Sequence, residues 1–263
     1  MISFNKYHGT GNDFILIDDR EQLFPAGMEL IREMCTRRFG IGADGLILLQ
    51  NSTTSGFRMI YFNADGNEGS LCGNGSRCAV AFAKETGMVE QRMLTFEASD
   101  GIHSAIIENG LVRLQMNDVK KIEACNPDYF LNTGSPHYVK MLQESPDSID
   151  VVQEGRQIRF SSRFREEGTN VNFVQQTGTN EIRVRTYERG VEDETFSCGT
   201  GVVAAAIAAL HDRVQASSKE EIRVLTKGGE LKVNFTKGKD GYHDIWLTGP
   251  ATKVYSGEYG GGH

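Results

Sequence analysis

Cys72-Gly73-Asn74-Gly75 runs into Ala79 and Ala83, and Cys198-Gly199-Thr200-Gly201 runs into Ala205 and Ala209. Two copies of one pattern, each a cysteine followed by Gly-x-Gly and an alanine-rich stretch, imply an internal duplication. Each half then places a cysteine at the start of a helix. A helix N-terminus carries unpaired N–H groups and partial positive charge. A thiol there has its thiolate favoured, with a pKa as low as roughly 3.5–7.5. The glycines let a ligand come close to the backbone N–H groups. Two such thiols facing each other across a cleft could take a proton from one face of a carbon and return one to the other, which is what inverting a stereocentre needs. A redox disulfide between Cys72 and Cys198 is the rival reading, and a packing role for both is the plainest one.

Working outward, the helix that begins at Gly73 is expected to end near Glu85, stopped by Gly87. Its partner runs from Gly199 to about Asp212. Both helices read as apolar nearly all round, most clearly over Val202–Leu210, and helices of that kind are buried. Strands are expected at 2–7 and 14–18 around a loop His8–Asp13, then at 46–50, 57–63, 93–98, 102–107 and 111–116, with an amphipathic helix over Glu29–Arg38. The second half repeats the plan, with strands at 129–133, 137–142, 170–175, 182–188, 221–226, 230–235, 243–248 and 252–256 and a helix near 150–159. The stretch from Thr95 to Gly101 and the one from Val224 to Gly229 match as strand and turn.

The expected fold class is α/β (α+β): two pseudo-symmetric domains, each a curved, largely antiparallel sheet wrapped around a buried central helix. Residues 1–117 form the half carrying Cys72, joined by a C-terminal strand over 250–259. Residues 118–249 form the half carrying Cys198. The tail Gly260-Gly261-Gly262-His263 reads as disordered.

The chain has 263 residues, 39% hydrophobic and 24% charged, with net charge −7 and pI near 5.5. That balance is ordinary for a globular protein and argues against nucleic acid or an anionic membrane as the main partner. No secretory signal opens the chain, and no apolar run reaches the roughly 18 residues a membrane helix needs. The five cysteines form no C-x-x-C pair, so neither zinc nor a disulfide scaffold is expected, and the thiols read as reduced and cytoplasmic. Cys35, Cys78 and Cys125 read as packing residues. No P-loop and no Schiff-base lysine stand out, so no cofactor, pyridoxal phosphate included, and no metal are expected.

The resemblance to a known family rests on motifs in order along the chain. They are His8-Gly9-Thr10-Gly11-Asn12-Asp13-Phe14, Gly40-Ile41-Gly42-Ala43-Asp44-Gly45, Phe62-Asn63-Ala64-Asp65-Gly66 and Cys72-Gly73-Asn74-Gly75-Ser76-Arg77-Cys78. Gly134-Ser135-Pro136-His137, Thr169-Asn170-Val171-Asn172-Phe173 and Tyr187–Thr195 follow, and Cys198-Gly199-Thr200-Gly201 closes the set. On these the chain resembles the diaminopimelate epimerases over essentially its whole length.

The resemblance implies a cofactor-independent isomerase that converts LL- to meso-diaminopimelate, one cysteine acting as thiolate base and the other as thiol acid. It implies that Asn12, Asn63, Asn170 and Arg189 bind substrate, with Arg189 gripping the distal carboxylate. Glu188 would meet the α-ammonium and support catalysis beside one catalytic thiol, and His137 would tune the other side of the site. The N–H groups around Gly73-Asn74 and Gly199-Thr200 would hold the α-carboxylate. Asn63 lies nine residues before Cys72 and Arg189 nine before Cys198, which suggests equivalent strand ends. The family pattern is departed from at Ser135, where many members carry Asn, and at Gly45, where some carry Gln. A small-molecule substrate is the expected partner, with a homodimer compatible with the reading. The alternatives are a proline- or hydroxyproline-type racemase, and a thiol-redox or amino-acid-binding protein without turnover.

Overall fold

The computed structural model describes residues 1–69 and 72–260, so most of the glycine tail lies outside the described residues. The chain divides into two compact units. The first holds Met1–Leu114 and the segment that begins at Gly249, and the second holds Gln115–Thr248.

In the first unit the chain forms β1 (Ile2–Gly9), β2 (Asn12–Asp18), α1 (Met28–Cys35), β3 (Gly45–Gln50), β4 (Arg58–Asn63), α2 (Gly73–Glu85), β5 (Met93–Ala98), β6 (Gly101–Glu108) and β7 (Leu111–Gln115). The second forms β8 (Ile122–Cys125), β9 (Asp128–Asn132), β10 (Pro136–Leu142), α3 (Val151–Arg159), β11 (Asn170–Gly178), β12 (Glu181–Glu188), β13 (Asp193–Thr195), α4 (Gly199–Leu210), β14 (Lys219–Thr226), β15 (Gly229–Lys237) and β16 (Tyr242–Pro250). The last strand, β17 (Thr252–Tyr259), returns to pair with β1 in the first unit.

The strand pairings give the duplication its physical form. In the first unit β17, β1 and β2 are antiparallel neighbours, β2 and β3 are parallel, β3 and β4 antiparallel, β4 and β5 parallel, and β5, β6 and β7 antiparallel. In the second unit β8, β9 and β10 are antiparallel, β10 and β11 parallel, β11 and β12 antiparallel, β12 and β14 parallel, and β14, β15 and β16 antiparallel. The senses repeat strand for strand. Each unit is the sheet-rich, largely antiparallel α/β fold expected, with α2 or α4 as its central helix.

Burial explains the central helices. Among α4 residues, every one except Thr200 is buried, and its alanines and valines pack with Val139, Val174, Val184, Leu231 and Val233. Lys237 closes the far end of α4, its ammonium donating to the carbonyls of His211 and Val214 at 2.6 and 2.9 Å. Strands β2 and β3 are buried over Phe14–Ile17 and Gly45–Leu49 and so read as continuous apolar runs, whereas β12 and β14 alternate. In β3, Leu46 and Leu48 pack with α1, while the Cδ1 of Ile47 lies under α2.

Four expectations change. The stretch His8–Asp13 is no loop: Thr10 and Gly11, both at positive φ, make a two-residue hairpin between β1 and β2. Helix α1 stops at Cys35, because Thr36 is extended and its hydroxyl donates to the Arg32 carbonyl at 2.7 Å. Helix α2 is not apolar all round, since Asn74, Ser76 and Arg77 are buried on it. Strands β8 and β13 were not foreseen; at four and three residues they are too short to show a period.

Candidate active site

Cys72 is the N-cap of α2, with φ −108° and ψ 116°, and Cys198 is the N-cap of α4, with φ −111° and ψ 114°. Neither cysteine side chain caps its helix by a hydrogen bond. Each sulfur instead meets a different polar group within its own unit.

In the first unit the Cys72 thiol donates to Asn12 Oδ1 at 3.6 Å, and Asn74 Nδ2 donates to the same oxygen at 3.3 Å. The amide of Asn12 is turned this way because its Nδ2 donates to Asp44 Oδ2 at 2.7 Å. Asp44 also accepts the Asp13 N–H at 3.2 Å and the Arg37 guanidinium at 2.7 Å. Arg37 and Lys6 both bond to Asp13. Burial alone would raise the Asp13 carboxyl, but hydrogen bonds and charge from Arg37 and Lys6 outweigh it and hold Asp13 at about 2. Arg77 is fully buried, its guanidinium donating to Asn74 Oδ1 at 2.8 Å and to Thr10 Oγ1 at 3.2 Å, which ties the hairpin to the first turn of α2. Asn63 ends β4 as an exposed residue, with its backbone tied into the turn through Asn67.

In the second unit Cys198 Sγ lies 3.5 Å from Thr200 Oγ1, and His137 Nε2 lies 3.0 Å from that same hydroxyl. The imidazole of His137 is fully buried, and Asn172 Nδ2 donates to its Nδ1 at 3.1 Å. Thr186 Oγ1 donates to Asn172 Oδ1 at 3.0 Å. Burial, and then the charge of Arg189, push His137 down to about 3, so it is neutral. Asn170 is buried, and its amide is engaged by the chain itself: Nδ2 donates to Ser135 Oγ and the Pro136 carbonyl at 3.0 and 3.1 Å, and Oδ1 accepts the Arg189 N–H at 2.9 Å. Ser135 therefore acts on Asn170 here. Glu188 ends β12 half-buried, and Arg189 follows it, exposed, with one guanidinium nitrogen donating to the Glu167 carbonyl at 2.7 Å.

Strand register corrects one equivalence. Phe14 pairs with Gly45 and Gly45 with Asn63; His137 pairs with Asn170, whose neighbour Val171 pairs with Tyr187. The row through Asn170 therefore continues at Glu188, so Asn63 corresponds to Glu188 and Arg189 stands one residue further. Counting residues back from the cysteines misses this because the second connection is one residue longer.

Asp44, Asn172 and Thr186 were not singled out from the sequence. One signal was present: in Asn170-Val171-Asn172 two amides occupy one face of the strand beside Val171, Phe173 and Val174, and all five residues are buried, which marks that face as carrying polar work. The departure at Gly45 also has a local cause, since a Cβ there would lie 2.5 Å from both the Phe62 carbonyl oxygen and the Tyr61 ring. Among the described residues no group of three or more His, Cys, Asp or Glu side chains is placed to hold a metal ion, and no helix is long and apolar enough to cross a membrane.

Known proteins resemble the chain at two levels. The diaminopimelate epimerase family model matches residues 4–122 and 129–254. A diaminopimelate epimerase of Flavobacterium psychrophilum is 48% identical over 95% of this chain and 97% of its own. One of Chlorobaculum tepidum is 45% identical over 95% and 98%. Among solved structures, a PhzF-family phenazine biosynthesis protein of Bacillus anthracis superposes with TM-score 0.74 at 17% identity, covering 98% of each chain. A probable proline racemase from Agrobacterium radiobacter K84 gives 0.66 at 18%, covering 99% of this chain and 93% of its own. At such identities the likeness is one of fold.

Proposed function

The chain belongs to the diaminopimelate epimerase family, and from that premise we propose that it converts LL-diaminopimelate to meso-diaminopimelate by proton transfer through Cys72 and Cys198, with no cofactor. The observation that carries this reading is the matched pair of N-cap cysteines, one on the central helix of each repeated unit.

Epimerisation needs one group to remove the α-proton and a second to deliver a proton to the opposite face. A thiolate does the first and a thiol the second, and the pair exchanges roles in the reverse direction. The α-proton of an amino acid is a very weak acid, so developing negative charge must be met by fixed donors. The N–H groups of Gly73, Asn74, Gly199 and Thr200 stand in the first turns of α2 and α4, where intrahelical acceptors are lacking, and suit the α-carboxylate. Proton transfer by positioned groups contributes roughly 10²–10⁴-fold.

Asn12, Asn63 and Asn170 are read as substrate-recognition residues, and Glu188 as the partner of the α-ammonium. Arg189 supplies a guanidinium for the distal carboxylate, where two parallel N–H···O bonds give both affinity and orientation. His137 supports catalysis as a neutral group. The product feeds lysine and peptidoglycan precursor synthesis. A small, charged substrate and the net charge of −7 favour a cytoplasmic enzyme acting apart from nucleic acid and membrane.

The test is conversion of LL-diaminopimelate in a metal chelator without pyridoxal phosphate, with products separated by chiral chromatography. The reading expects meso product with wild-type protein, none above background with Cys72→Ala or Cys198→Ala, and none from L-proline or trans-4-hydroxy-L-proline. Turnover of the prolines alone, or unimpaired cysteine variants, would refute it.

A further inference from the structure

The duplicated scaffold is not chemically symmetric beneath its two cysteines. The third residue of each central helix is a glycine, Gly75 or Gly201. A Cβ at Gly75 would meet Ile47 Cδ1 at 3.1 Å and Phe14 Cε1 at 3.5 Å. A Cβ at Gly201 would meet Asn172 Oδ1 at 2.5 Å and His137 Cε1 at 3.3 Å. These are equivalent positions. Phe14 pairs with Gly45, two residues before Ile47, as His137 pairs with Asn170, two residues before Asn172. Opposite them, Ile47 pairs with Tyr61 and Asn172 with Thr186. Hydrocarbon under the helix of Cys72 is thus replaced, under the helix of Cys198, by an imidazole and an amide.

The polarity of this chain can be read from its fixed ends. A backbone carbonyl only accepts, and Asn172 Nδ2 faces the Tyr138 carbonyl at 3.3 Å, so the NH₂ edge of the amide points toward β10. The oxygen edge then faces the Thr186 hydroxyl, which donates to it. Because Nδ2 can only donate, His137 Nδ1 must accept, and a neutral imidazole then carries its proton on Nε2. That proton is donated to Thr200 Oγ1. The Thr200 hydroxyl keeps its own hydrogen to give, and Cys198 Sγ lies 3.5 Å away.

We propose that Asn172 is a positioning residue for the epimerisation: it fixes His137 as the Nε2–H tautomer and, through Thr200, aims a hydroxyl hydrogen at Cys198 that favours its thiolate. The effect rests on the functional reading above, but its first link, the tautomer, is independent of any substrate. The charged and titratable groups that bear on His137 are Arg189, which disfavours a second proton on the ring, and Cys198 beyond Thr200. The neutral imidazole is consistent with its complete burial.

Two measurements test this on the full chain. The first is the ¹⁵N–¹H long-range spectrum of the histidine rings, with His137 identified by His137→Gln. Wild-type protein should show His137 protonated on Nε2 alone at neutral pH, and Asn172→Asp, which puts an acceptor where the donor stands, should move a proton onto Nδ1. A wild-type ring protonated on Nδ1 overturns the proposal even if no variant folds. The second is a double-mutant cycle in kcat for LL-diaminopimelate between Asn172→Asp and Thr200→Val. Asn172→Asp alone should lower kcat between about ten- and a hundred-fold, the worth of one hydrogen bond to a charged group, with KM little changed. In the Thr200→Val background it should cost little more, because the relay is already broken. Additive losses, or a loss that follows stability alone, would assign Asn172 a structural role and overturn the proposal. Absence of all turnover by wild-type protein would refute the epimerase reading, and the spectrum would still decide the tautomer.

Discussion

Cys72 and Cys198 occupy the same backbone state, φ −108° and ψ 116° against φ −111° and ψ 114°, each one residue before the first turn of its unit's central helix. The surroundings of the two sulfurs differ while the backbone does not. Cys72 meets the amide oxygen of Asn12, and Cys198 meets the hydroxyl of Thr200. One scaffold thus offers a sulfur two kinds of partner, an acceptor in one unit and a hydroxyl in the other.

The two helix glycines should respond differently to alanine. At Gly201 the new methyl would lie 2.5 Å from Asn172 Oδ1, which Thr186 and His137 hold in place. Overpacking of this kind costs roughly 1–3 kcal/mol, so Gly201→Ala should lower the melting temperature by several degrees. At Gly75 the contact is the mobile end of Ile47 at 3.1 Å, and alanine's better helix propensity offsets it. Thermal denaturation of Gly75→Ala should be close to wild type.

His137 ties stability to pH. Its folded-state pKa is pushed down to about 3 by burial and then by Arg189. The unfolded chain takes up a proton as pH falls below the ordinary histidine value near 6.5, and the folded chain does not. Stability should therefore hold above about pH 6.5 and decline from there toward about pH 3. Denaturant midpoints measured from pH 8 to pH 4 should show this slope in wild type and a shallower one in His137→Gln.

Asp44 should matter to rate although it stands away from the sulfur. It fixes which way the Asn12 amide faces, and an asparagine in its place no longer compels Asn12 Nδ2 to point at it. Asp44→Asn should lower kcat/KM about ten-fold, the low end for a hydrogen bond to a partly exposed charged group. Its circular dichroism should match wild type, which steady-state kinetics and spectra together would check.

Arg189 should discriminate among substrates. Its guanidinium is exposed and anchored by the Glu167 carbonyl. Replacement by lysine keeps charge but loses the planar fork. Arg189→Lys should raise KM for LL-diaminopimelate by about ten-fold or more. Initial rates over a range of substrate concentration would measure it.

The fold was legible where period and repetition were strong. The apolar helix after Cys198, the strand pair that begins at Gly45, and the matching turns at Gly101 and Gly229 follow from apolar runs, glycine placement and duplication. The helix of Cys72 was half legible, since its apolar residues show but the burial of Arg77 does not. A buried arginine needs partners from distant segments, here Thr10 as well as Asn74. The same limit hid Asp44 and Asn172. Their roles arise from which strand lies beside which, and a register of one residue decides whether Asn63 answers to Glu188 or to Arg189.

The central claim is that two thiols exchange a proton at one α-carbon, and solvent deuterium uptake tests it most directly. Reduced protein is incubated with LL-diaminopimelate in D₂O, and the products are resolved and weighed by mass spectrometry at low conversion. The account predicts meso product carrying one solvent deuterium at the inverted α-carbon, with uptake lost when either Cys72 or Cys198 is replaced by alanine. Meso product without solvent deuterium, or uptake that survives both replacements, would contradict it.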